Sequence, residues 1–153
     1  MTIFDRIIAG QIPASFVHRD AHCAVFMDIN PITRGHALVV PLQSVRTLQE
    51  LPPDTRSHLW NVAQRVGQAQ QRALGSRAQH LLINDGPGAS QSVPHVHIHV
   101  IPRFGGDTVH TLSRLVWHIT TITVPRRETV QRRQRLDQLA AAIGAAMVAG
   151  GPG

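Results

Sequence analysis

Lysine and tyrosine are both absent from this 153-residue chain, and Cys23 is its single cysteine. One cysteine excludes an internal disulfide framework and is typical of proteins in a reducing compartment. No apolar run approaches the roughly 20 residues that a membrane helix needs. The opening residues also lack the basic region and continuous apolar stretch of a signal peptide. We therefore expect a cytoplasmic protein with no membrane partner.

Positive charge comes from arginine alone, because 15 arginines against nine acidic residues give a net charge of +6. Five of the arginines fall within residues 126–135. Arginine suits phosphate ligands, but the chain shows no recognisable nucleic-acid module and has only four Phe and two Trp for base stacking. The run is more typical of a solvated helix face. We expect anionic ligands to be favoured, but no nucleic-acid partner.

Hydrophobic spacing predicts one domain of mixed helix and strand. A short first helix follows a Thr2 N-cap and stops at Gly10, and a long helix follows an Asp54 N-cap and ends at Gly75. The predicted strands are Phe16–Arg19, Cys23–Asp28, His36–Leu42, Ala78–Asp85 and a histidine-rich strand beginning near Pro94. Short links between neighbouring strands favour an antiparallel sheet with the long helix packed on one face, an α+β fold.

The pattern after residue 103 is harder to interpret. Residues 105–125 suggest an irregular stretch and one strand. A helix is then predicted after Pro125, with apolar residues at helical intervals.

Three histidines alternate with aliphatic residues in the stretch SVPHVHIHVIPR. On a strand, residues two apart share a face at about 6.7 Å, so His95, His97 and His99 would line one face over about 13 Å. That span is too long for all three to bind one zinc ion, and a metal site would need outside ligands such as His36 or His80. Buried structural histidines are a second interpretation, but each would need a hydrogen-bond partner.

Catalysis is the third interpretation of the alternating histidines. Neutral imidazole is a good nucleophile near its ordinary pKa of about 6.5. One ring can attack a phosphorus centre while its neighbours bind or protonate an oxygen. The preceding loop, residues 84–92, offers backbone N–H groups that could hold phosphate oxygens. This combination favours catalysis at phosphorus and leaves the metal and structural interpretations open.

Residues 91–101 resemble the histidine triad (HIT) signature, Q-x-φ-x-H-φ-H-φ-H-φ-φ, in which φ is apolar. The stretches IFDRIIAGQIPA, AVFMDINPITRGHALVVP and INDGPGASQS are similar to the opening helix, strand pair and phosphate loop of that family. The resemblance implies a homodimeric α+β fold with an antiparallel sheet of about five strands, one long helix and one short helix. We take residues 1–103 as the HIT domain core and 104–153 as a C-terminal extension of the same domain, carrying an amphipathic helix.

The resemblance also implies hydrolysis or transfer at the α-phosphorus of a purine nucleotide like AMP or GMP. The reaction would pass through a nucleotidyl-histidine, with no metal or other cofactor. The alternatives are a dinucleoside polyphosphate hydrolase and a nucleotide-binding regulatory protein with incidental turnover.

The site residues follow from the same resemblance. His97 would be the nucleophile, and the other implied catalytic residues are His95, His99, His36 and Ser92. The implied substrate-binding residues are Asp28 for the ribose hydroxyls, Asn84 and Gln91 for phosphate or leaving group, and Phe4, Ile7 and Ile29 for the base. Asp28 and Asn84 could instead serve turns, and Phe4 and Ile7 could be ordinary core.

The chain departs from the family pattern at one point. Many bacterial members hold a structural zinc ion with a Cys-x-x-Cys pair and a histidine, where this chain has Thr2, Asp5 and Ser44. We therefore expect no zinc ion on those residues.

Overall fold

The computed structural model describes residues 1–121 and 129–151. The helices are α1 (Ile3–Ile8), α2 (Pro53–Leu74), α3 (Thr108–Thr121) and α4 (Val130–Ala149). The strands are β1 (Phe16–Arg19), β2 (Cys23–Met27), β3 (Ala37–Pro41), β4 (Ala78–Ile83) and β5 (Ile98–Arg103). Two short 3₁₀ turns lie at Leu48–Glu50 and Pro87–Ala89.

The five strands form one antiparallel sheet in the order β1-β2-β3-β5-β4. This confirms the predicted α+β class and strand number. In the middle of the sheet Leu38 of β3 pairs with His99 of β5, and Leu82 of β4 pairs with His99 from the other side. The last histidine of the SVPHVHIHVIPR stretch is therefore held in the centre of the sheet.

The two faces of the sheet bury different sets of residues. The long helix α2 and the helix α4 cover one face, and their apolar residues pack against Val25, Val39 and Ile98. On the opposite face the short helix α1 packs Phe4 and Ile7 against a smaller cluster. Because side chains alternate along a strand, this division decides which face receives the imidazoles.

The predicted helix ends are confirmed with one exception. Thr2 caps α1, accepting from the backbone N–H of Asp5, and Gly75 ends α2 with a left-handed φ of 71°. The N-cap of α2 is Pro52 and not Asp54. Pro53 has a fixed φ that suits the first helical position, so the helix starts earlier and Asp54 lies in its first turn.

The prediction of an irregular stretch and a strand after residue 103 was wrong for the part that forms α3. Asp107 organises the start of this helix. Its carboxylate accepts the backbone N–H of Phe104 at 2.8 Å and pairs with Arg103 at 2.8 Å, and its carbonyl accepts the N–H of Thr111 at 2.8 Å. Residues 122–128, including Pro125, lie outside the described residues.

Among the described residues, no helix is both long and apolar enough to cross a bilayer. The cytoplasmic location stays a prediction.

Candidate active site

The histidines lie at the junction between an irregular segment and the central strand β5. That strand begins at Ile98, so only His99 belongs to it, whereas we expected the strand to begin near Pro94. The backbone before Ile98 bonds elsewhere: the N–H of Val96 donates to the carbonyl of Val45, and that of His95 to Val93. The predicted alternation nevertheless holds, because Val96, Ile98 and Val100 belong to the core under α2.

The imidazoles face the side covered by α1. Phe4 packs edge-on against the rings of His95 and His97, with centroids 5.8 and 5.1 Å away. The rings of His97 and His99 are 4.8 Å apart. The three histidines therefore form one cluster.

A pocket of about 250 Å³ opens beside this cluster. That volume is just below the range of small-ligand sites, roughly 300–1,000 Å³. Its polar wall includes His97, His99, Ser92 and Asp28. Its apolar wall is formed by Ile3, Phe4, Ile7, Ile12, Pro13, Ala14, Phe26, Met27, Ile29, Leu38 and Val93. Polar groups meet at one end of a largely apolar cleft, as expected for a ligand with a hydrophobic ring and a charged group.

The proton of the His97 ring can be assigned from its partner. Nδ1 of His97 lies 2.8 Å from the backbone carbonyl oxygen of His95. A carbonyl only accepts hydrogen bonds, so Nδ1 carries the proton and Nε2, on the other side of the ring, carries the lone pair. The bond thus fixes the nucleophilic tautomer.

His36 and His99 form a second chain with a definite proton order. The backbone N–H of Ile32 donates to Nδ1 of His36 at 3.2 Å, so that nitrogen is an acceptor and Nε2 carries the proton. Nε2 lies 3.0 Å from Nδ1 of His99. His36 therefore donates to His99 and leaves the proton of His99 on Nε2. His36 is fully buried, whereas His99 lies on the pocket wall.

His95 lies behind the pocket and is held on both sides of its ring. Nε2 donates to the carbonyl of Pro41 at 3.0 Å, so Nδ1 accepts from the hydroxyl of Thr2 at 3.1 Å. Asp5 lies 3.6 Å from the same nitrogen and accepts from Ser44 at 3.1 Å. Burial lowers the pKa of His95, although Pro41 and Asp5 oppose this. This hydrogen-bond network joins Thr2, Asp5 and Ser44, the positions where the resemblance implies zinc ligands in many bacterial members of the family.

Asp28 lies at the end of β2, and its carboxylate is buried at the pocket wall. One oxygen accepts the N–H of Asn30 at 2.7 Å, and the other lies 3.5 Å from Nδ1 of His36. Donor atoms of Asp28, His36 and His99 all lie within 4.8 Å of one another, close enough to hold a metal ion. Two of these groups share the hydrogen bond between the rings, and the expected absence of a metal cofactor stays a prediction.

Two predicted substrate contacts lie off the pocket wall. Asn84 donates to the carbonyl of Ser90 at 3.4 Å across its own loop. Gln91 accepts the N–H of Gly86 at 3.2 Å and donates to the carbonyl of Arg46 at 2.8 Å. Both side chains brace the loop that precedes the histidines, which is the turn-like alternative considered for Asn84.

Arg133 was missed by the sequence reasoning, although it lines the pocket. It extends from the second turn of α4 and donates to the carbonyl of Pro13 and the hydroxyl of Ser15. Its neighbour Arg132 donates to the carbonyl of Ile29. We expected the 126–135 run to form a solvated helix face, and for these two arginines that expectation was wrong. No motif marks them, because α4 lies beyond the stretch that resembles the family.

Three neighbouring histidines lead into the central strand of an antiparallel sheet and lie beside an apolar pocket, which is the arrangement that the resemblance to the histidine triad family implies. The model of the HIT domain matches residues 9–106. The uncharacterized HIT-like protein Rv1262c of Mycobacterium tuberculosis is 39% identical over 105 residues, which are 69% of this chain and 73% of that protein. The chain therefore belongs to the HIT family, whose members bind nucleotides and include nucleotide hydrolases and transferases.

Two further relatives carry named activities. Adenylylsulfatase HINT3 of Arabidopsis thaliana is 36% identical over 116 residues, 76% of this chain and 59% of that protein. The asymmetrical bis(5'-nucleosyl)-tetraphosphatase of Schizosaccharomyces pombe is 37% identical over 90 residues, 59% of this chain and 50% of that protein.

A solved structure extends the likeness to nearly the whole chain. A zinc-bound histidine triad family protein from Mycobacterium smegmatis superposes with a TM-score of 0.75 at 30% identity. The match covers 97% of this chain and 96% of that one.

Proposed function

We propose that this protein is a hydrolase or transferase that cleaves at the α-phosphorus of a nucleoside phosphoramidate or related nucleotide. His97 is the nucleophile and forms a nucleotidyl-histidine. The observation that carries the proposal is the hydrogen bond from Nδ1 of His97 to the carbonyl of His95, at 2.8 Å. It supports a lone pair on Nε2 in a ring that lines the pocket.

In the first step Nε2 of His97 attacks phosphorus and the bond from phosphorus to the leaving group breaks. The departing amine takes a proton that solvent supplies through the polar end of the pocket. The imidazole becomes cationic as the N–P bond forms. The carbonyl of His95 faces its Nδ1–H and stabilises that charge, because hydrogen bonds to ionised donors are the stronger ones.

In the second step water attacks phosphorus and the N–P bond breaks. The nucleoside monophosphate leaves carrying the oxygen of that water, the protons displaced from the water pass to solvent, and His97 returns to its neutral form with the proton on Nδ1. His99 carries its proton on Nε2 when His36 donates to its Nδ1. A donor on the pocket wall beside His97 suits a phosphate oxygen that gains negative charge in both steps. Ser92 offers a hydroxyl on the same wall.

The nucleoside half of the substrate fits the rest of the pocket. The base would lie among Phe4, Ile7 and Ile29, which line the apolar end. Asp28 adds a carboxylate at the junction of the apolar and polar walls, and a carboxylate accepts hydrogen bonds from ribose hydroxyls. This arrangement supports a purine nucleotide as the ligand.

The direct test follows AMP release from adenosine 5'-phosphoramidate by chromatography, with wild-type protein and with His97→Ala. We expect a loss of at least about a thousandfold in kcat, since no other group replaces the nucleophile. AMP binding, measured by calorimetry, should persist in the variant. Equal rates in the two proteins would contradict the proposal, and binding of AMP by the wild type without any turnover would favour the regulatory alternative.

The leaving group is tested by a substrate panel. Adenylyl sulfate and diadenosine tetraphosphate place sulfate or a nucleotide where the phosphoramidate has an amine, while the attack at phosphorus stays the same. The substrate with the highest kcat/KM identifies the class. A dinucleoside polyphosphate hydrolase would cleave the tetraphosphate best.

We also infer that the protein is a homodimer that pairs through β4. This strand lies at the edge of the sheet, and Leu81 on it is 36% exposed. An unpaired strand edge can be extended by a second copy. Sedimentation equilibrium should give twice the chain mass, whereas a Leu81→Lys variant should shift toward monomer.

A further inference from the structure

A second cluster of potential metal ligands lies at the turn between β1 and β2. Donor atoms of Asp20, Cys23 and His58 all lie within 4.8 Å of one another. Oδ2 of Asp20 is 2.8 Å from Nε2 of His58 and 3.6 Å from Sγ of Cys23. His18 approaches the same oxygen with its own Nε2, at 3.2 Å. One carboxylate oxygen is thus surrounded by two imidazole nitrogens and a thiol.

The carboxylate is oriented toward these groups by the turn itself. Its other oxygen, Oδ1, accepts the backbone N–H groups of His22 and Cys23, both at 2.8 Å. These bonds fix the Asp20 rotamer and direct Oδ2 to the imidazoles and thiol. Hydrogen bonds that orient a ligand in this way are typical of metal sites.

The distances suit a small tetrahedral ion. Zinc bonds of about 2.0 Å to nitrogen or oxygen and about 2.3 Å to sulfur place neighbouring donors roughly 3.3–3.6 Å apart. Oδ2 of Asp20 lies 3.6 Å from Sγ of Cys23, at the upper end of that range, and 2.8 Å from Nε2 of His58, a distance that would lengthen on binding. A thiolate with imidazoles favours zinc over magnesium or calcium.

This cluster is separate from the nucleotide pocket. Cys23 begins β2, and Asp28 follows the end of that strand about 16 Å away. Cys23 also belongs to the core under α2, on the sheet face opposite the imidazole cluster. An ion here would join the β1–β2 turn to α2, which carries His58.

We propose that Asp20, Cys23 and His58 form a zinc site, with water as the fourth ligand and His18 as an orienting neighbour that donates to Asp20. On binding, the thiol proton passes to solvent, the ring proton of His58 resides on Nδ1, and that of His18 stays on Nε2. The ion holds the turn against α2. The site therefore stabilises the fold and takes no part in the chemistry at phosphorus.

The test uses the untagged full chain, stripped with a chelator and titrated with Co²⁺ in an absorption spectrometer. We expect one Co²⁺ per chain and the near-ultraviolet band of a cobalt–thiolate bond. His58→Gln should weaken binding at least roughly a hundredfold, because loss of a ligand exceeds loss of an orienting partner. His58 is 34% exposed on its side chain, so this variant leaves the core intact.

Three comparisons locate the ion. Cys23→Ser should remove the thiolate band. His110→Gln, on an exposed residue of α3, is the matched control and should bind like wild type. His99→Gln should also bind like wild type, since it belongs to the other donor group. Zn²⁺ should displace Co²⁺ and raise the melting temperature of wild type but not of His58→Gln.

Any of three results would contradict the proposed zinc site. They are a wild type that shows no cobalt–thiolate band, Co²⁺ binding that is unchanged in His58→Gln, and Co²⁺ binding that is lost in His99→Gln. Should Cys23→Ser fail to fold by circular dichroism, the His58→Gln titration decides the question.

Discussion

Replacing His36 with leucine tests whether the proton order of the buried chain matters for the proposed reaction. The wild-type ring donates from Nε2 to Nδ1 of His99 at 3.0 Å, and His36 is fully buried. Leucine fills similar space but offers no donor. His99 is then left with a buried acceptor facing an apolar group.

The magnitude follows from that lost bond. An unsatisfied buried acceptor reduces the free energy of unfolding by about 1–3 kcal/mol. The Asp28 carboxylate, within 4.8 Å of a ring nitrogen of His99, can then favour the tautomer of His99 with its proton on Nδ1, and in that tautomer Nε2 no longer donates in the pocket. A preference of about 1.4–2.7 kcal/mol for the wrong tautomer lowers the rate by roughly ten- to a hundredfold.

The assay is single-turnover AMP release from adenosine 5'-phosphoramidate over a range of pH, with urea unfolding of the same proteins. The matched control is His36→Gln, whose side-chain amide places a donor near the position of Nε2. We expect it to recover much of the rate and to keep the wild-type pH profile. Wild-type rates in His36→Leu, or no difference between the two variants, would refute the reasoning.

Three other results are expected. Arg133→Ala should raise KM roughly tenfold, about 1.4 kcal/mol, with kcat unchanged, because Arg133 lines the pocket but is not one of the groups proposed to act on phosphorus. Arg135→Ala, at an exposed position, is the control, and an unchanged KM would limit Arg133 to anchoring α4. Gly144→Ala should lower the free energy of unfolding, measured in urea, by about 1–3 kcal/mol, because its Cβ would lie 2.7 Å from the carbonyl oxygen of Val17. Alanine ordinarily favours helices, so a more stable variant would contradict that packing. Burial lowers the pKa of His95, so as the pH falls the unfolded chain binds a proton at this residue before the folded one does. The stabilisation from His95 is therefore complete above about pH 6.5 and is lost as the pH falls below that value. Between pH 7.5 and pH 5, the free energy of unfolding should fall less for His95→Gln than for wild type.

The parts of the fold that follow local rules could be predicted from the sequence. The Thr2 cap, Gly75 and the alternation of Val96 and Ile98 with histidines each depend on neighbouring residues, and each is found in the structure. Four of the five strands were also predicted, within one or two residues at their ends.

The rest depends on contacts between distant parts of the chain. The start of α3 is set by Asp107 through its pairing with Arg103, while β-branched residues in the segment favoured a strand. The strand before Ile98 is cut short because the N–H of Val96 bonds to Val45, about fifty residues away in the chain. Arg133 reaches the pocket through tertiary packing alone, so no local pattern marked it.

The contribution of α4 to the pocket has a consequence for biosynthesis. The triad and the apolar wall come from residues before 104, but Arg133 is supplied by an element that follows every other described helix and strand. During synthesis the pocket therefore lacks this part of its wall until α4 has been made and has packed against the sheet. In the finished fold the carboxylate of Asp137 on that helix accepts a hydrogen bond from the hydroxyl of Ser15 at 2.6 Å. We therefore expect nucleotide to bind the growing chain more weakly than the finished fold, by roughly the tenfold expected for Arg133→Ala.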